Sequence, residues 1–249
     1  MNDAAQARAP LDDKGLTLTV KTDFSEFRDH LVDADGTTGV NPAFDPHHSI
    51  LSPGASFWIS AEDQDGGIAS CIAYRTFRTH DVRDLIRTME IFCEAPCPMH
   101  TGTMDLVIPQ ETPHISGLVG FPGGLWVRAD HRGNGLSAHM MRAVRSEAMR
   151  RYLLDWEVAI TFQNITESAS MRDIYNFQAV VPCVDGFFPP TQRVERIALQ
   201  FSSRAHLVRS LAGPGRTHRR PAHGRPAAVR TADRSGRSGR TDGVRPGRA

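Results

Sequence analysis

The sequence predicts a single mixed α/β domain, and three observations favour this fold class. An apolar strand pattern leads through a glycine-bearing loop into a helical pattern across residues 125–151. A hairpin pattern spans residues 57–77, around Asp65-Gly66-Gly67. Elsewhere between residues 16 and 203, segments of period two alternate with segments of helical period. This order of elements predicts one α+β mixed-sheet domain over residues 16–203, after a flexible N-terminus of residues 1–15.

The first half of the domain shows strand, helix, hairpin and helix patterns in turn. Residues 16–20 alternate apolar side chains with threonine, and Phe24, Phe27 and Leu31 have helical spacing. The predicted hairpin strands are residues 57–61 and 68–77, and apolar residues recur at helical spacing between residues 80 and 93. The segments 33–54 and 94–114 are rich in turn-forming residues and are predicted to be loops.

The second half begins with an apolar segment that has two interpretations. Residues 115–119 and 125–127 are two strands, or one strand interrupted by the Phe-Pro-Gly-Gly segment between them. A helix over residues 136–151 follows, and then a short strand over residues 158–162. Asn164, with Glu167 three residues later, resembles a capping box that opens another helix. Residues 180–184 and 194–201 are predicted to be closing strands.

The C-terminal segment differs from the rest in charge and composition. Residues 204–249 hold 12 Arg and two Asp, a net charge of +10, whereas the remaining chain holds 17 basic and 26 acidic residues, a net charge of −9. Few bulky apolar residues are present, so we predict a disordered tail that cannot offset its chain entropy. Two interpretations stay open. The tail resembles a shifted reading frame of a GC-rich gene, or it is a basic arm that binds nucleic acid or another polyanion.

The sequence predicts a cytoplasmic protein without a membrane span or a metal. No apolar run reaches the roughly 18 residues that a membrane helix needs, and the first residues lack a signal-peptide pattern. The four cysteines form no dense framework, which favours a reducing compartment. Cys93, Cys97 and His100 have an unusual spacing for zinc ligands and no fourth ligand nearby, so we interpret the cysteines as ordinary thiols.

The loop between the predicted strand 125–127 and the helix that follows has the chemistry of an anion site. The first amides of a helix lack internal acceptors, and the N-terminal end of the helix dipole is positive. Gly133 and Gly135 let an anion approach the backbone closely. The loop lacks the Gly-Lys-Ser/Thr of a nucleotide-binding P-loop and the glycine spacing of a dinucleotide fingerprint. The residues therefore predict a phosphate-binding element of another kind.

The segment RGNGLS, residues 132–137, resembles motif A of the GCN5-related N-acetyltransferase superfamily, Gln/Arg-x-x-Gly-x-Gly/Ala. Arg132 fills the first position, Gly135 fills the middle glycine position, and Ser137 stands where Gly or Ala is usual. The predicted order of elements around it also resembles that superfamily, over roughly residues 15–203. The resemblance implies a fold of the acyl-CoA N-acyltransferase type, with acetyl-CoA as co-substrate.

The resemblance also implies which residues bind acetyl-CoA. The thioester and pantetheine would lie along the strand that contains Trp126 and Val127, where a bulge separates it from residues 158–162 and opens a cleft. A backbone N–H near Val127 would polarise the thioester carbonyl. The pyrophosphate would bind the amides of the loop and first helical turn, formed by Arg132, Gly133, Asn134, Gly135, Leu136 and Ser137.

A second family motif is expected on the helix after the fifth strand, within NITESASMRDIYNFQAV. Tyr175 matches the tyrosine that, in many members, protonates the leaving CoA thiolate, and a structural role for Tyr175 stays open. Asn164 is the looser match to the motif asparagine and is a candidate CoA contact, whereas Ser168 has the usual spacing. The pair Ala179-Val180 replaces the usual Gly-Phe.

The general base is less evident from the sequence. An attacking amine must lose a proton, often to Glu, Asp or His through water. Glu90 is the weak candidate, and Asp130 and His131 are candidates by position only.

These observations favour an acyl-CoA-dependent N-acyltransferase that transfers acetyl to a primary amine. The amine would be a small molecule or a peptide, and a homodimer is compatible with the pattern. Nucleic acid is a partner only if the basic tail is functional. The alternative is a non-catalytic acyl-CoA-binding or regulatory module with a polyanion-binding tail.

Overall fold

A computed structural model of the chain describes residues 11, 15–37, 39–94 and 104–213. Seven strands lie in this part of the chain: β1 (Thr17–Lys21), β2 (Ser56–Glu62), β3 (Ile68–Thr79), β4 (Gly117–Val127), β5 (Trp156–Phe162), β6 (Ala179–Phe188) and β7 (Arg193–Ser203). The helices there are α1 (Phe24–Asp33), α2 (Val82–Arg87), α3 (Leu136–Arg151), α4 (Gln163–Glu167), α5 (Ala169–Tyr175) and α6 (Arg204–Ala212). Short 3-10 turns cover Pro42–Phe44 and Ala129–His131.

The strands form one mixed sheet in the order β1-β2-β3-β4-β5-β7-β6. Neighbouring strands are antiparallel except β4 and β5, which are parallel. The prediction of a mixed α/β fold is confirmed. The order of elements that the superfamily resemblance implied is also present: strand, helix, hairpin, strand, loop, helix, strand, helices and closing strands.

Two apolar clusters cover the two faces of the sheet. Successive strand residues point to opposite faces, and Trp58 accordingly belongs to one cluster while Phe57 and Ile59 belong to the other. The α1-side cluster includes Phe24, Phe27, Leu31, Ile86 and Phe121. The α3-side cluster includes Tyr74, Met140, Val144, Ala148 and Leu207. The sheet is therefore buried on both sides, which explains why its central strands are nearly continuous apolar runs.

Residues 117–127 form one continuous strand, so the single-strand interpretation holds, without an interruption. Two other sequence predictions are corrected within the domain. Helix α2 ends at Arg87, well before residue 93, and Met89 has a positive φ of 66° in the turns that follow. The capping box at Asn164 is wrong, because Asn164 lies inside α4, whose N-cap Phe162 makes no side-chain cap hydrogen bond. The cap in this region is Ser168, whose hydroxyl accepts from the Met171 amide at the start of α5.

The predicted boundary of the disordered tail at residue 204 is wrong. Residues 204–212 form helix α6, capped by the Ser203 side chain. Leu207 and Leu211 are buried, and Arg142 of α3 donates to the carbonyls of Ser210 and Leu211 at 3.3 and 2.6 Å. Helix α6 therefore belongs to the folded domain. Residues 214–249, which hold the rest of the predicted tail, lie outside the described residues, as do most of residues 1–15.

The cysteines differ from the sequence interpretation at one position. Cys71 and Cys183 are buried free thiols, and burial raises the pKa of each to about 12. Cys93, which we had interpreted as an ordinary thiol, is buried and disulfide-bonded. Cys97 and His100 lie outside the described residues. Over the described ranges, no helix is long and apolar enough to cross a membrane.

Candidate functional site

The candidate site begins where β4 and β5 separate. Within the described strands, these two neighbours pair at two positions, Val119 with Trp156 and Gly120 with Glu157. Beyond Glu157, the residues of β5 continue to pair with β7 on the other side, up to Phe162. The sheet thus opens between β4 and β5 towards the carboxyl ends of both strands. This is the cleft that the family resemblance implied.

A bulge in β4 accompanies this separation. Cys71 of β3 lies opposite Trp126 and Ala73 lies opposite Gly123, so two residues of β4 face one residue of β3. Gly124, inside the bulge, has φ of 63°, a conformation that glycine adopts without strain. A Cβ atom at Gly124 would lie 2.8 Å from the Phe27 ring, which leaves no room for a side chain. The expected bulge is therefore present and is held against α1.

The backbone at the end of β4 points one amide towards the opened side. The Ser70 hydroxyl on β3 donates to the Trp126 carbonyl at 2.6 Å. The carbonyl and the following N–H of a trans peptide point in opposite directions, so the Val127 N–H points away from β3. Trp126 itself packs against α1: its ring meets His30 edge-on at 4.8 Å, and its Nε1 donates to the Asp35 carbonyl at 3.0 Å.

The glycine loop follows directly and is open. Gly133 and Gly135 have φ of 78° and 76°, and a Cβ atom at either position would meet nothing within 4 Å. Gly135 is the N-cap of α3, with no side-chain cap hydrogen bond and no acidic residue in the first turn. Arg132, Gly133, Asn134 and Gly135 are all exposed. The first amides of α3 are thus presented to solvent at the positive end of the helix dipole.

Leu136 and Ser137 take part in this loop through their backbone. The Leu136 side chain is buried in the α3-side cluster, so its amide is the group that a ligand would reach. Ser137 is half-buried beside it. The predicted cradle is therefore a backbone surface whose apolar side chain anchors it to the core.

The Arg132 side chain contacts the backbone at the end of β4. Its Nε donates to the Val127 carbonyl at 2.9 Å, on the side of β4 that faces away from β3. A Cβ atom at Gly36 would lie 3.2 Å from the Arg132 guanidinium, so the turn after α1 lies beside it. Arg132 therefore joins the loop to the end of β4. Its amide donates to the Ala129 carbonyl at 3.3 Å, so the predicted ligand contact through this amide is wrong and the amides left for a ligand begin at Gly133.

Tyr175 and Asn164 lie on the helices that follow β5. Tyr175 ends α5, is half-buried and packs against the α3-side cluster, and burial raises the pKa of its phenol. Asn164 is exposed on α4, one residue after that helix begins. Both helices come directly after the strand that separates from β4. The structure thus brings the second motif to the same edge of the opened sheet.

The candidate bases have different surroundings. Asp130 and His131 surround Arg128, which donates to Asp130 at 2.9 Å, donates to Asp63 at 2.9 Å and lies 3.0 Å from His131 Nε2. The hydrogen bond from Arg128 lowers the pKa of Asp130, which makes that carboxylate a weaker base. Glu90 is exposed in the turns after α2, and its neighbours Met89 and Ile91 belong to the α1-side cluster.

A surface groove of about 640 Å³ runs along α1, whose His30 contacts Trp126. Its walls carry four carboxylates, and it is lined by Asp23, Ser25, Glu26, Asp29, His30, Asp33 and Ala34. Burial lowers the pKa of His30, so the neutral imidazole is favoured there. The end of β4 therefore lies near both the glycine loop and this carboxylate-lined groove.

Sequence reasoning missed a buried polar network on the α3 side. Glu157 of β5 is 0% exposed and accepts from Arg145 Nε at 2.7 Å and from the Tyr74 hydroxyl at 3.0 Å. Its signal was visible: Glu157 interrupts the apolar strand WEVAITF, and Arg145 lies on the apolar side of the helix pattern. Two opposite charges at core positions are seldom buried unless they pair.

No group of three or more His, Cys, Asp or Glu that could hold a metal ion occurs among the residues described. Cys93 is engaged in a disulfide and so does not supply a thiolate ligand.

Comparisons with known proteins give structural similarity without sequence similarity. No family model and no curated protein matches the chain. The structure of Arabidopsis thaliana NAA60 in complex with acetyl-CoA is 10% identical, with a TM-score of 0.47, covering 76% of this chain and 99% of that one. AAC(6')-Ib in complex with ribostamycin and coenzyme A is 12% identical, with a TM-score of 0.44, covering 79% and 97%.

A third similar structure is a GNAT superfamily phosphinothricin acetyltransferase from Sinorhizobium meliloti in complex with AcCoA. It is 12% identical, with a TM-score of 0.42, covering 76% of this chain and 88% of that one. All three TM-scores are below 0.5.

Proposed function

We propose that the chain is an acyl-CoA-dependent N-acyltransferase that transfers acetyl from acetyl-CoA to a primary amine. The observation that carries the proposal is the opening of the sheet between two parallel strands, followed at once by an uncapped, glycine-bearing helix N-terminus. A long ligand with an anionic end and an acyl end matches this arrangement. Its anion would bind the loop while its acyl arm extends between the strands.

The loop fits a pyrophosphate on two grounds. A Cβ atom at Gly133 or Gly135 would have no neighbour within 4 Å, so the space above the backbone is free. No side chain caps α3, so its first amides are left for a ligand. The amides from Gly133 to Ser137 would hold the pyrophosphate, and the exposed Asn164 on α4 is a further CoA contact in this proposal.

Acetyl-CoA would supply an acetyl group activated as a thioester. The Val127 N–H, which points away from β3, would donate to the thioester carbonyl oxygen as negative charge develops there. The ring of Trp126, fixed by His30 and Asp35, would hold the strand in place beside it. The amine nitrogen then forms the new bond to the carbonyl carbon as the carbon–sulfur bond breaks.

Two proton transfers complete the reaction in this proposal. The Tyr175 phenol would donate its proton to the departing thiolate. An ordinary phenol pKa of about 10 already keeps it protonated at neutral pH, and burial raises that pKa further. The amine proton would pass through water to a base, for which exposed Glu90 is the candidate. Asp130 and His131 are the weaker candidates because Arg128 already engages both.

The acceptor is proposed to be a small-molecule or peptide amine that arrives as a cation. Four carboxylates line the groove along α1 next to Trp126. Glu26 pairs with Lys21 and Asp29 pairs with Arg28, so Asp23 and Asp33 are the carboxylates that would attract an ammonium group. The acceptors named for the similar proteins belong to those proteins. The proposal for this chain rests on the carboxylates that line its own groove.

The proposal is tested by thermal unfolding of the full chain with and without acetyl-CoA. Acetyl-CoA at 100 times its Kd should raise the midpoint by about 5–10 °C. The variant Gly135→Asp should abolish this shift, because a carboxylate would occupy the phosphate position. The folded state should survive, since aspartate tolerates a positive φ better than most residues and the site has open space.

Gly66→Asp is the matched control for this experiment. Gly66 has φ of 80°, is exposed, and a Cβ atom there would also meet nothing within 4 Å. It lies in the turn between β2 and β3, so this variant should keep the full shift. Absence of any shift in the unmodified chain would overturn the proposal. Binding without acetyl transfer to a broad panel of amines would instead support the non-catalytic alternative.

A further inference from the structure

The buried network on the α3 side connects three strands at one point. Tyr74 belongs to β3 and lies opposite Pro122 of β4, yet its hydroxyl reaches Glu157 on β5. It does so by passing over Gly120, where a Cβ atom would lie only 2.0 Å from the Tyr74 oxygen. Glycine at position 120 is therefore what allows the tyrosine to cross β4.

The crossing lies at the vertex of the cleft. Gly120 and Glu157 are the second of the two pairs that join β4 to β5, and the strands separate immediately beyond them. The hydrogen bond from Tyr74 thus ties β5 to β3 across β4 at the place where the opening begins. Loss of this hydrogen bond would change the angle between β4 and β5 where they separate.

The same carboxylate is also tied to the elements that carry the rest of the site. Arg145 of α3 donates to Glu157 at 2.7 Å, and the first turn of α3 is the phosphate-type cradle. The Arg145 guanidinium lies over the Phe177 ring at 4.7 Å, two residues after Tyr175. Arg145 is 4% exposed, and both oxygens of Glu157 are engaged, so the network is internal.

We propose that Tyr74 and Glu157, with Arg145, are positioning residues that set the cleft between β4 and β5 for the pantetheine arm of CoA. This inference rests on the proposed acyl-CoA function and adds the residues that determine the geometry of the arm's binding. None of the three touches the reacting atoms. They act by holding the vertex of the cleft at a fixed distance from the cradle and from Tyr175.

The test compares two probes on the full chain. Coenzyme A contacts both the cradle and the cleft, whereas 3′-phospho-ADP has the same phosphates without pantetheine. The Kd of 3′-phospho-ADP divided by the Kd of coenzyme A measures the affinity that the pantetheine arm adds. Tyr74→Phe removes one hydroxyl and keeps the ring. We expect this ratio to fall by about tenfold, because a cleft whose vertex is no longer held by Tyr74 would bind the pantetheine arm less tightly. The Kd for 3′-phospho-ADP should stay unchanged.

Gly120→Ala is a second variant, which disturbs the hydrogen bond between Tyr74 and Glu157 from β4. Its methyl group would displace the Tyr74 hydroxyl without removing it, and the ratio should fall in the same way. Both variants should also raise the KM for acetyl-CoA and leave the KM for the amine unchanged. The Kd and KM values should be measured at a temperature well below the unfolding midpoint of each variant.

Tyr152→Phe is the control. Tyr152 packs against the same α3-side cluster, and its ring lies 6.3 Å from that of Phe57, but the phenol is not a partner of Glu157. It should leave the ratio of Kd values at its original level. An unchanged ratio in Tyr74→Phe, with a lowered unfolding temperature alone, would show a structural role and overturn the inference. Failure of the unmodified chain to bind coenzyme A would be a separate result, against the proposed function.

Discussion

Arg132 shows how a single side chain can position the loop that we propose to bind an anion. Its Nε donates to the Val127 carbonyl, which turns the loop back onto the end of β4. The Val127 N–H lies on the same side of β4 as this carbonyl, away from β3. The arginine is thus explained as a link between the strand that would bind the acyl group and the loop that would bind the phosphates.

Tyr175 is the residue whose chemical role is most directly testable. If its phenol protonates the leaving thiolate, Tyr175→Phe should lower kcat by about 100-fold or more while the Kd for acetyl-CoA changes little. Burial raises the phenol pKa above its ordinary value of about 10. Loss of the acid form should therefore limit kcat only above about pH 10. The measurement is steady-state kinetics across pH, with an amine that is neutral over the range used.

Tyr152→Phe is again the suitable comparison for Tyr175→Phe, since it removes a phenol from the same cluster. It should leave kcat within about twofold of the original value. A Tyr175→Phe variant with an unaltered kcat would leave Tyr175 as a packing residue, the alternative that its half-buried position also allows.

Helix α6 shows at the scale of the element why part of the fold was missed. The sequence after residue 203 is dominated by Arg, Gly, Pro and Ala, and that composition hides two leucines four residues apart. Leu207 and Leu211 face the domain, and Arg142 caps the last carbonyls of the helix from α3. These contacts are long-range, so no local pattern contains them. The hairpin β2–β3, by contrast, is specified by its own alternation and turn residues.

The contribution of α6 to stability can be measured by a pair of variants on the same helix. Leu207 is 1% exposed, so Leu207→Ala should lower the free energy of unfolding by about 2–4 kcal/mol. Val208 is 49% exposed, so Val208→Ala should change it by less than about 0.5 kcal/mol. Urea titrations of the full chain provide both values. Equal and small losses would mean that α6 does not pack on the domain.

At the scale of the whole molecule, the elements that are contiguous in the chain could be predicted from the sequence. Contacts between residues that are distant in sequence and adjacent in the sheet could not. The strand, loop and helix at residues 117–151 are contiguous, so their chemistry was predicted together. Tyr74, Glu157 and Arg145 come from three elements, and only the sheet order makes them neighbours. The contact between His30 of α1 and Trp126 of β4 is of the same kind. Such contacts depend on the pairing register of neighbouring strands and on which face of each strand a helix covers, and neither is encoded in a local sequence pattern.

That contact between α1 and β4 predicts how the folded molecule responds to acid. Burial lowers the pKa of His30 below its ordinary value of about 6.5, although Glu26 and Asp33 act in the opposite direction. The unfolded chain therefore binds a proton at a pH where the folded chain does not. The contribution of His30 to stability is complete above about pH 7 and is lost as the pH falls below the ordinary pKa of about 6.5 towards the lower pKa of the folded state. Glu62 and Glu147, whose pKa values are also lowered in the folded state, lose their contributions at lower pH, from about 5 downward.

The variant His30→Phe isolates the first of these losses, because it keeps a ring against Trp126 and removes the titrating group. The free energy of unfolding, measured in urea at several values between pH 7.5 and 5.5, should fall less steeply for this variant than for the unmodified chain. His80→Phe is the control: His80 is exposed, and the original slope should persist. Identical slopes in all three proteins would contradict the assignment of this acid sensitivity to His30. A flatter slope in His30→Phe alone would identify the contact between α1 and the end of β4 as the acid-sensitive point of the fold.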